Sequence, residues 1–488
     1  MSNLLKAFLK TGGGSVAAIL FGVIATKVIA VVSGPAGVGL FSLLRQTQQT
    51  LVGLATMQGN TALVQGLSTR EDSSQTRYIV TVASLFVLMT GTISLIVWFA
   101  APRLANLILD RADVQSVWLI RGLIPSILFA AAVIFLGGLL NSYRALGRLA
   151  LVQVFSSAVA AITAFPLVVL VGNPWGLLLL LWVTSFTGLM AGFGFVWRGG
   201  WLSPLFANWR RLWDRDAALY FLKFAGVTIL TGLIGTGTLL LVRAMFVRHG
   251  GLTGAGIFDV AWTLNSTYLM ILLGSLGTYY MPVLSATKDI EGRSALIAQV
   301  FRIMLILVVP LITVMILGKS AVISLLYTKE FFPALEIIQW MLLGDYLKAI
   351  AWVLATPMLA YGDMRMFFKT EFLWNMGMAI GAWLALFVFG QIWIVGIVFV
   401  VLYVIYLAFC YWYSKTRHGL RLTIREKSTW IFGLILIIIA SALSWNEQSI
   451  DWMKVVLFTC ILGGFVLSGT AKSERNSLVH YLKRRQRF

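Results

Sequence analysis

Apolar runs long enough to cross a bilayer recur about fourteen times between Gly13 and Thr470, since a helix needs roughly 20 mostly apolar residues to traverse about 30 Å of hydrocarbon. The runs cover 13–33, 38–66, 78–100, 117–140, 151–171 and 175–197, then 220–247, 257–285, 296–318, 334–360, 368–389, 391–413, 429–444 and 452–470. Backbone polar groups in lipid must be satisfied within the segment, so runs of this length predict helices. The expected fold class is therefore an all-α polytopic membrane protein. With 59% of residues hydrophobic, 11% charged and a mean hydropathy of +0.89, what remains is too small for a soluble domain.

Superposing the chain on itself at an offset of 217 brings Gly34, Gly37, Gly39 and Phe41 onto Gly251, Gly254, Gly256 and Phe258, and Leu67-Ser68 onto Leu284-Ser285. Spans one and two thus match spans seven and eight, which predicts two parallel six-helix halves, a transporter architecture with a central cavity. The expected organisation is a first bundle at 1–200, a cytoplasmic interfacial linker at 201–219, a second bundle at 220–413, two appended transmembrane helices at 414–470, and a basic cytoplasmic tail at 471–488. The linker mixes Trp209, Arg210, Arg211, Trp213 and Arg215, which suits a helix lying in the interface.

Charge fixes the expected orientation. Lys and Arg number 38 against 18 Asp and Glu, for a net charge of +20. With both termini in the cytoplasm, about 25 of these cations fall inside and about five in outer loops, the positive-inside asymmetry. The excess charge therefore describes topology and anionic headgroups, with Lys483, Arg484, Arg485 and Arg487 as an inner-leaflet anchor. It does not describe nucleic-acid binding, which would need a soluble basic module. Cys410 and Cys460 lie inside apolar runs and read as buried thiols, three His are too scattered for a metal site, and no P-loop is present. No cofactor, metal or catalytic site is expected.

Polar residues inside spans cost roughly 2.5–3.5 kcal/mol or more at the bilayer centre, so they mark protein- or water-facing surfaces. In span two, Ser42, Arg45, Gln49, Gly53, Thr56 and Asn60 recur at three- and four-residue steps and predict one polar stripe lining a wet cavity. Lys27 in span one and Arg243 in span seven stand at nearly equivalent repeat positions, where they either join Arg45 in gripping an anion or snorkel to headgroups. Asp345 and Lys348, three residues apart in span ten, can pair on one face, as a structural or a functional pair. Asp259 and Glu371 complete the intramembrane carboxylates, and with Asp345 they are candidates for ion coupling.

Three segments carry a resemblance: TKVIAVVSGPAGVGLF with the following LLRQ, YYMPVLSATKD, and LLYTKEFFPALEIIQWMLLGDYLK. Over roughly residues 1–415 the chain resembles the Wzx-type flippases, which carry lipid-linked O-antigen or enterobacterial common antigen oligosaccharides. The resemblance implies the multidrug/oligosaccharidyl-lipid/polysaccharide (MOP) exporter fold and residence in the bacterial inner membrane. It implies a substrate of undecaprenyl-pyrophosphate-linked oligosaccharide, moved to the periplasmic leaflet by alternating access without enzymatic chemistry. It also implies pyrophosphate contacts by Lys27, Arg45 and Arg243, carries the GD-x-x-K pattern onto Asp345 and Lys348, and carries an acidic opening of span eleven onto Glu371. Lys348 then joins the substrate cations, and a polysaccharide polymerase and a chain-length regulator become candidate partners beside membrane lipids. The closest members stop after twelve spans, whereas this chain adds 428–488. Rival readings are a MurJ-like lipid II flippase, a MATE-like drug antiporter and, from another class, a membrane-embedded glycan polymerase.

Overall fold

The structure, a computed structural model, describes residues 2–70, 72–201, 213–445 and 451–469. The linker residues Trp209, Arg210 and Arg211 and the basic tail at 471–488 lie outside them. Eleven helices among the described residues are long and apolar enough to cross a membrane, and Trp452–Val466 forms a shorter apolar helix.

Two of these helices are far longer than one crossing requires. Helix α1 (Ser2–Ala55) has 54 residues and a single non-helical position, Gly34, at φ 59° and ψ −164°. At about 1.5 Å per residue it runs some 80 Å, enough to cross twice. Only a residue without Cβ takes this conformation cheaply, and Pro35 then opens the second arm with its fixed φ and missing N–H. The sequence predicts a loop from Gly34 to Gly37; the chain instead turns on Gly34 alone.

The same device recurs 217 positions later. After α2 (Asn60–Ser68), α3 (Asp72–Leu109), α4 (Val114–Arg121), α5 (Leu123–Ser142), α6 (Leu146–Pro166) and α7 (Trp175–Arg198), the 72-residue α8 (Arg215–Ala286) breaks at Gly250 and Gly251. Gly251 has φ 65° and ψ −166°, nearly the values of Gly34. A π-helix at Leu167–Val171 is matched by one at Leu384–Val388, again 217 apart, and the left-handed Gly172 and Gly390 follow them. The duplication read from a few glycines is thus written in the backbone near both ends of each copy. Helix α8 starts before the predicted 220, because Asp214 caps it: its carboxylate accepts from the backbone N–H of Asp216 and Ala217.

The chain divides into two compact units, residues 1–259 with 326–330, and residues 260–325 with 331–488. This division by packing cuts α8 at Asp259 and does not follow the repeat boundary at 201–219. Within the first unit the two broken helices cross at their closest approach. A Cβ on Gly39 would stand 1.9 Å from the Leu252 carbonyl oxygen, and one on Gly256 would stand 2.0 Å from that of Pro35. Pro35 and Leu252 are themselves repeat equivalents, so the contact is reciprocal and only glycine fits on either side.

The second unit contains α9 (Ile290–Leu326), α10 (Ala334–Ala360), α11 (Met364–Trp383), α12 (Ile394–His418), α13 (Ile424–Leu443) and α14 (Trp452–Gly469). Helix α10 is its buried axis. The appended α13 opens on a capping box, Thr423 with Glu426, five residues before the predicted start at 429. It packs within this unit: the Tyr346 hydroxyl donates to the Trp430 carbonyl at 2.6 Å, and Gly433 makes room for Val309 and Tyr346.

Candidate functional site

Span two does not form the continuous striped helix expected. Helix α1 stops at Ala55, Met57 and Gln58 take left-handed φ values of 52° and 50°, and α2 restarts at Asn60. The Gln58 N–H bonds the Gly53 carbonyl at 2.9 Å, and its side chain lies in a slot that a Cβ on Gly53 or Gly232 would fill. The stripe narrows accordingly. Ser42 and Thr56 are buried, and each donates its hydroxyl to a carbonyl of α1, Gly39 and Val52 respectively. Their hydroxyl protons are thus spent on the preceding turn. Arg45, Gln49 and Asn60 are exposed.

Beside this face stands a buried charge network. The turn at Gly250–Gly251 folds α8 back so that Arg243 and Asp259, eight residues on either side of Gly251, meet. The Arg243 guanidinium, 6% exposed, donates through Nη2 to Asp259 Oδ1 and through Nη1 to Gln46 Oε1. Gln46 in turn donates to the Thr236 carbonyl at 3.0 Å. Arg45, the neighbour of Gln46, lies within electrostatic reach of Asp259, Arg243 and Tyr327. Lys27 Nζ donates to the Tyr327 carbonyl. All of these residues belong to the first unit.

Two sequence expectations change here. Asp259, read from the sequence as a candidate ion-coupling carboxylate, is the ion-pair partner of Arg243. Arg243 and Lys27 are held by internal partners in this conformation, so of the three predicted anion contacts Arg45 alone is exposed. Gln46 and Tyr327 escaped the sequence reading. Gln46 sits one position off the stripe, and Tyr327 comes from the chain beyond α9. One signal was available: Ser42 occupies the repeat position of Asp259, which makes that carboxylate a feature of one copy only.

In the second unit Asp345 is fully buried, and its Oδ2 accepts from the Tyr268 hydroxyl. Lys348 does not pair with it as the spacing suggested. Its Nζ stands over the rings of Phe399 and Tyr403, 5.8 and 6.0 Å from their centroids. Glu371 is half-buried, and its backbone carbonyl accepts from Asn375 Nδ2.

No protein-family model matches the sequence. Lipid III flippases of Escherichia coli (strain K12) and Shigella flexneri are each 24% identical over 377 residues, covering 76% of this chain and 88% of theirs. Among solved structures, the lipid II flippase MurJ in an inward closed conformation superposes with a TM-score of 0.70 at 12% identity, over 97% of this chain and all of that one. The fold is that of the MOP transporters. A multidrug resistance MATE family transporter of the MOP superfamily, inward-facing, matches with a TM-score of 0.65 at 13% identity, over 83% of this chain and 94% of that one. These relatives are transporters, none an enzyme by name. The near-complete match to the MurJ structure takes in the appended helices, which the sequence alignment to the lipid III flippases does not require.

Proposed function

We propose that this protein is a flippase of the bacterial inner membrane, moving an undecaprenyl-pyrophosphate-linked oligosaccharide from the cytoplasmic to the periplasmic leaflet by alternating access. The observation that carries the reading is the charge balance of the first unit. Arg45 and Arg243 share one carboxylate, Asp259, so the pair keeps an excess of positive charge inside a membrane-spanning unit. Such an excess is costly in a medium that solvates ions poorly, and an anionic head is the ligand that offsets it. A pyrophosphate takes a bidentate guanidinium well, and Arg45 is the exposed fork. The polyprenyl tail stays in lipid, so nothing covalent is asked of the protein.

The likeness to lipid III flippases along most of their length supports this reading over the drug antiporter, whose cationic cargo would meet repulsion at Arg45. The lipid II reading draws on the MurJ fold match, and the substrate's glycan separates the two. Domain roles follow the repeat in this proposal, with the bundles at 1–200 and 220–413 as the moving parts. The polymerase and chain-length regulator remain proposed partners.

The test is made in cells. Replacing Arg45 by Gln should leave the protein in the membrane while a lipid-linked oligosaccharide accumulates, identified by mass. Arg45→Lys should restore part of the flux, because charge returns without the fork. Normal surface polysaccharide in the Arg45→Gln strain would contradict the assignment.

A further inference from the structure

The connection from α9 to α10 leaves the second unit. Residues 326–330 pack with the first, where they meet the end of α1's first arm, the outer end in the proposed orientation. Two contacts hold them there. Lys27 Nζ donates to the Tyr327 carbonyl, and a Cβ on Gly34 would stand 3.0 Å from Glu330 Oε2. Lys27 and Gly34 are seven positions apart, two helical turns on one face, so the segment lies along that face. Tyr327 is buried, within electrostatic reach of Arg45 and Asp259. The Thr328 hydroxyl is buried with no hydrogen-bond partner, a cost of this arrangement that the contacts with α1 have to offset.

The repeat supplies a counterpart. At the offset of 217, Tyr327 corresponds to Asp110 in the connection from α3 to α4, and Asp110 Oδ1 stands 3.6 Å from Nε of Arg248, three positions before Gly251. Each connection thus reaches the glycine turn of the other copy. The Asp110 pair is half exposed and contributes little. The Lys27 contact lies deeper, beside the cation cluster, and the repeat does not reproduce it, since Ala244 stands at the equivalent position.

We propose that residues 327–330 are a strap that closes the outer end of the first unit, held by Lys27 until the pyrophosphate head of the substrate draws Lys27 away. This rests on the flippase reading above and adds the trigger for outward opening. The two partners of Lys27 differ in charge. A carbonyl is a neutral acceptor, whereas the oxygens of a pyrophosphate are ionised and accept roughly twice as strongly. Lysine suits the exchange, because its ammonium rides on a flexible four-carbon stem. Arg243 does not, being pinned between Asp259 and Gln46. The preference of Lys27 for the anion is what biases the strap toward release. An uncharged head gives no such bias, so opening becomes conditional on the cargo.

The experiment uses the full chain in nanodiscs, which expose both faces to water. Cys410→Ser and Cys460→Ser remove the two native thiols, and Thr328→Cys reports on the strap. Labelling of Thr328→Cys by a charged maleimide should be slow without lipid and rise roughly 10- to 100-fold with undecaprenyl pyrophosphate, the range for one lost charge-assisted hydrogen bond. Undecaprenol should leave it unchanged. Adding Lys27→Met should give the fast rate without any lipid, and Glu330→Gln, which weakens the second contact, a rate in between. Binding of radiolabelled undecaprenyl pyrophosphate is measured on the same samples. Binding without a rise in labelling, or slow labelling with Lys27→Met, would overturn the strap and leave the flippase reading standing. No binding, with Lys27→Met still labelled fast, would preserve the Lys27 contact as the closure and overturn the pyrophosphate as cargo and trigger.

Discussion

Arg45 and Arg243 carry the same charge in opposite circumstances. Arg243 is buried with Asp259 and Gln46, so removing one member strands the other in a medium of low polarity. Asp259→Ala should destabilise the protein by about 3–5 kcal/mol, read as a lowered midpoint of thermal unfolding in detergent. Arg243→Met with Asp259→Leu should cost less than either single change, because neither charge is then left unpaired. Arg45→Gln should leave the midpoint nearly unchanged while reducing transport, since the loss of a charged hydrogen bond of about 1.5–3 kcal/mol corresponds to roughly 10- to 100-fold. The candidate residues Lys27, Arg45, Arg243 and Asp345 were legible as polar interruptions of apolar runs. Their partners were not: Gln46 and Arg243 lie 197 positions apart, and only the turn at Gly251 explains why Asp259 neutralises Arg243. Nor does i, i+3 spacing reveal that Lys348 prefers two aromatic faces to the carboxylate beside it.

At the scale of elements, glycines decide where the long helices turn and how closely they pass. Gly39→Ala and Gly256→Ala each drive a methyl to within about 2 Å of a backbone oxygen, which overpacking estimates put at roughly 1–3 kcal/mol or more. Gly34→Ala and Gly251→Ala meet the left-handed penalty of about 1–2 kcal/mol. Gly22→Ala has nothing within 4 Å of the new methyl and serves as the control. Thermal unfolding of the five variants should rank in that order, and a crossing variant as stable as Gly22→Ala would refute the reciprocal contact. The repeat was readable because those glycines are required by geometry and recur at a fixed offset. The π-helices and the break at Met57 and Gln58 were not, because both are settled by packing. Gln58 can leave the helix because Gly53 and Gly232 provide its slot, and Gly232 lies 174 positions away in sequence.

For the molecule as a whole, hydropathy foretold the helical, membrane-spanning class, and the fold match extends that to the MOP transporters. The count read from apolar runs differs from the eleven crossing helices because two of them carry a break inside, and because the last is short. The appended α13 is packed on the second unit through Tyr346, Trp430 and Gly433, so truncation after about Lys415 should uncover Val309 and Tyr346. Its effect should fall on abundance more than on transport per molecule, measured as flipping normalised to protein in reconstituted vesicles. The same vesicles test the central claim most directly. Inward-exposed lipid carrying an undecaprenyl-pyrophosphate oligosaccharide should reach the opposite leaflet with the wild-type protein, at a rate cut about 10- to 100-fold by Arg45→Gln and partly restored by Arg45→Lys. Equal rates for wild type and Arg45→Gln, or translocation of lipids lacking the pyrophosphate at the same rate, would contradict the account.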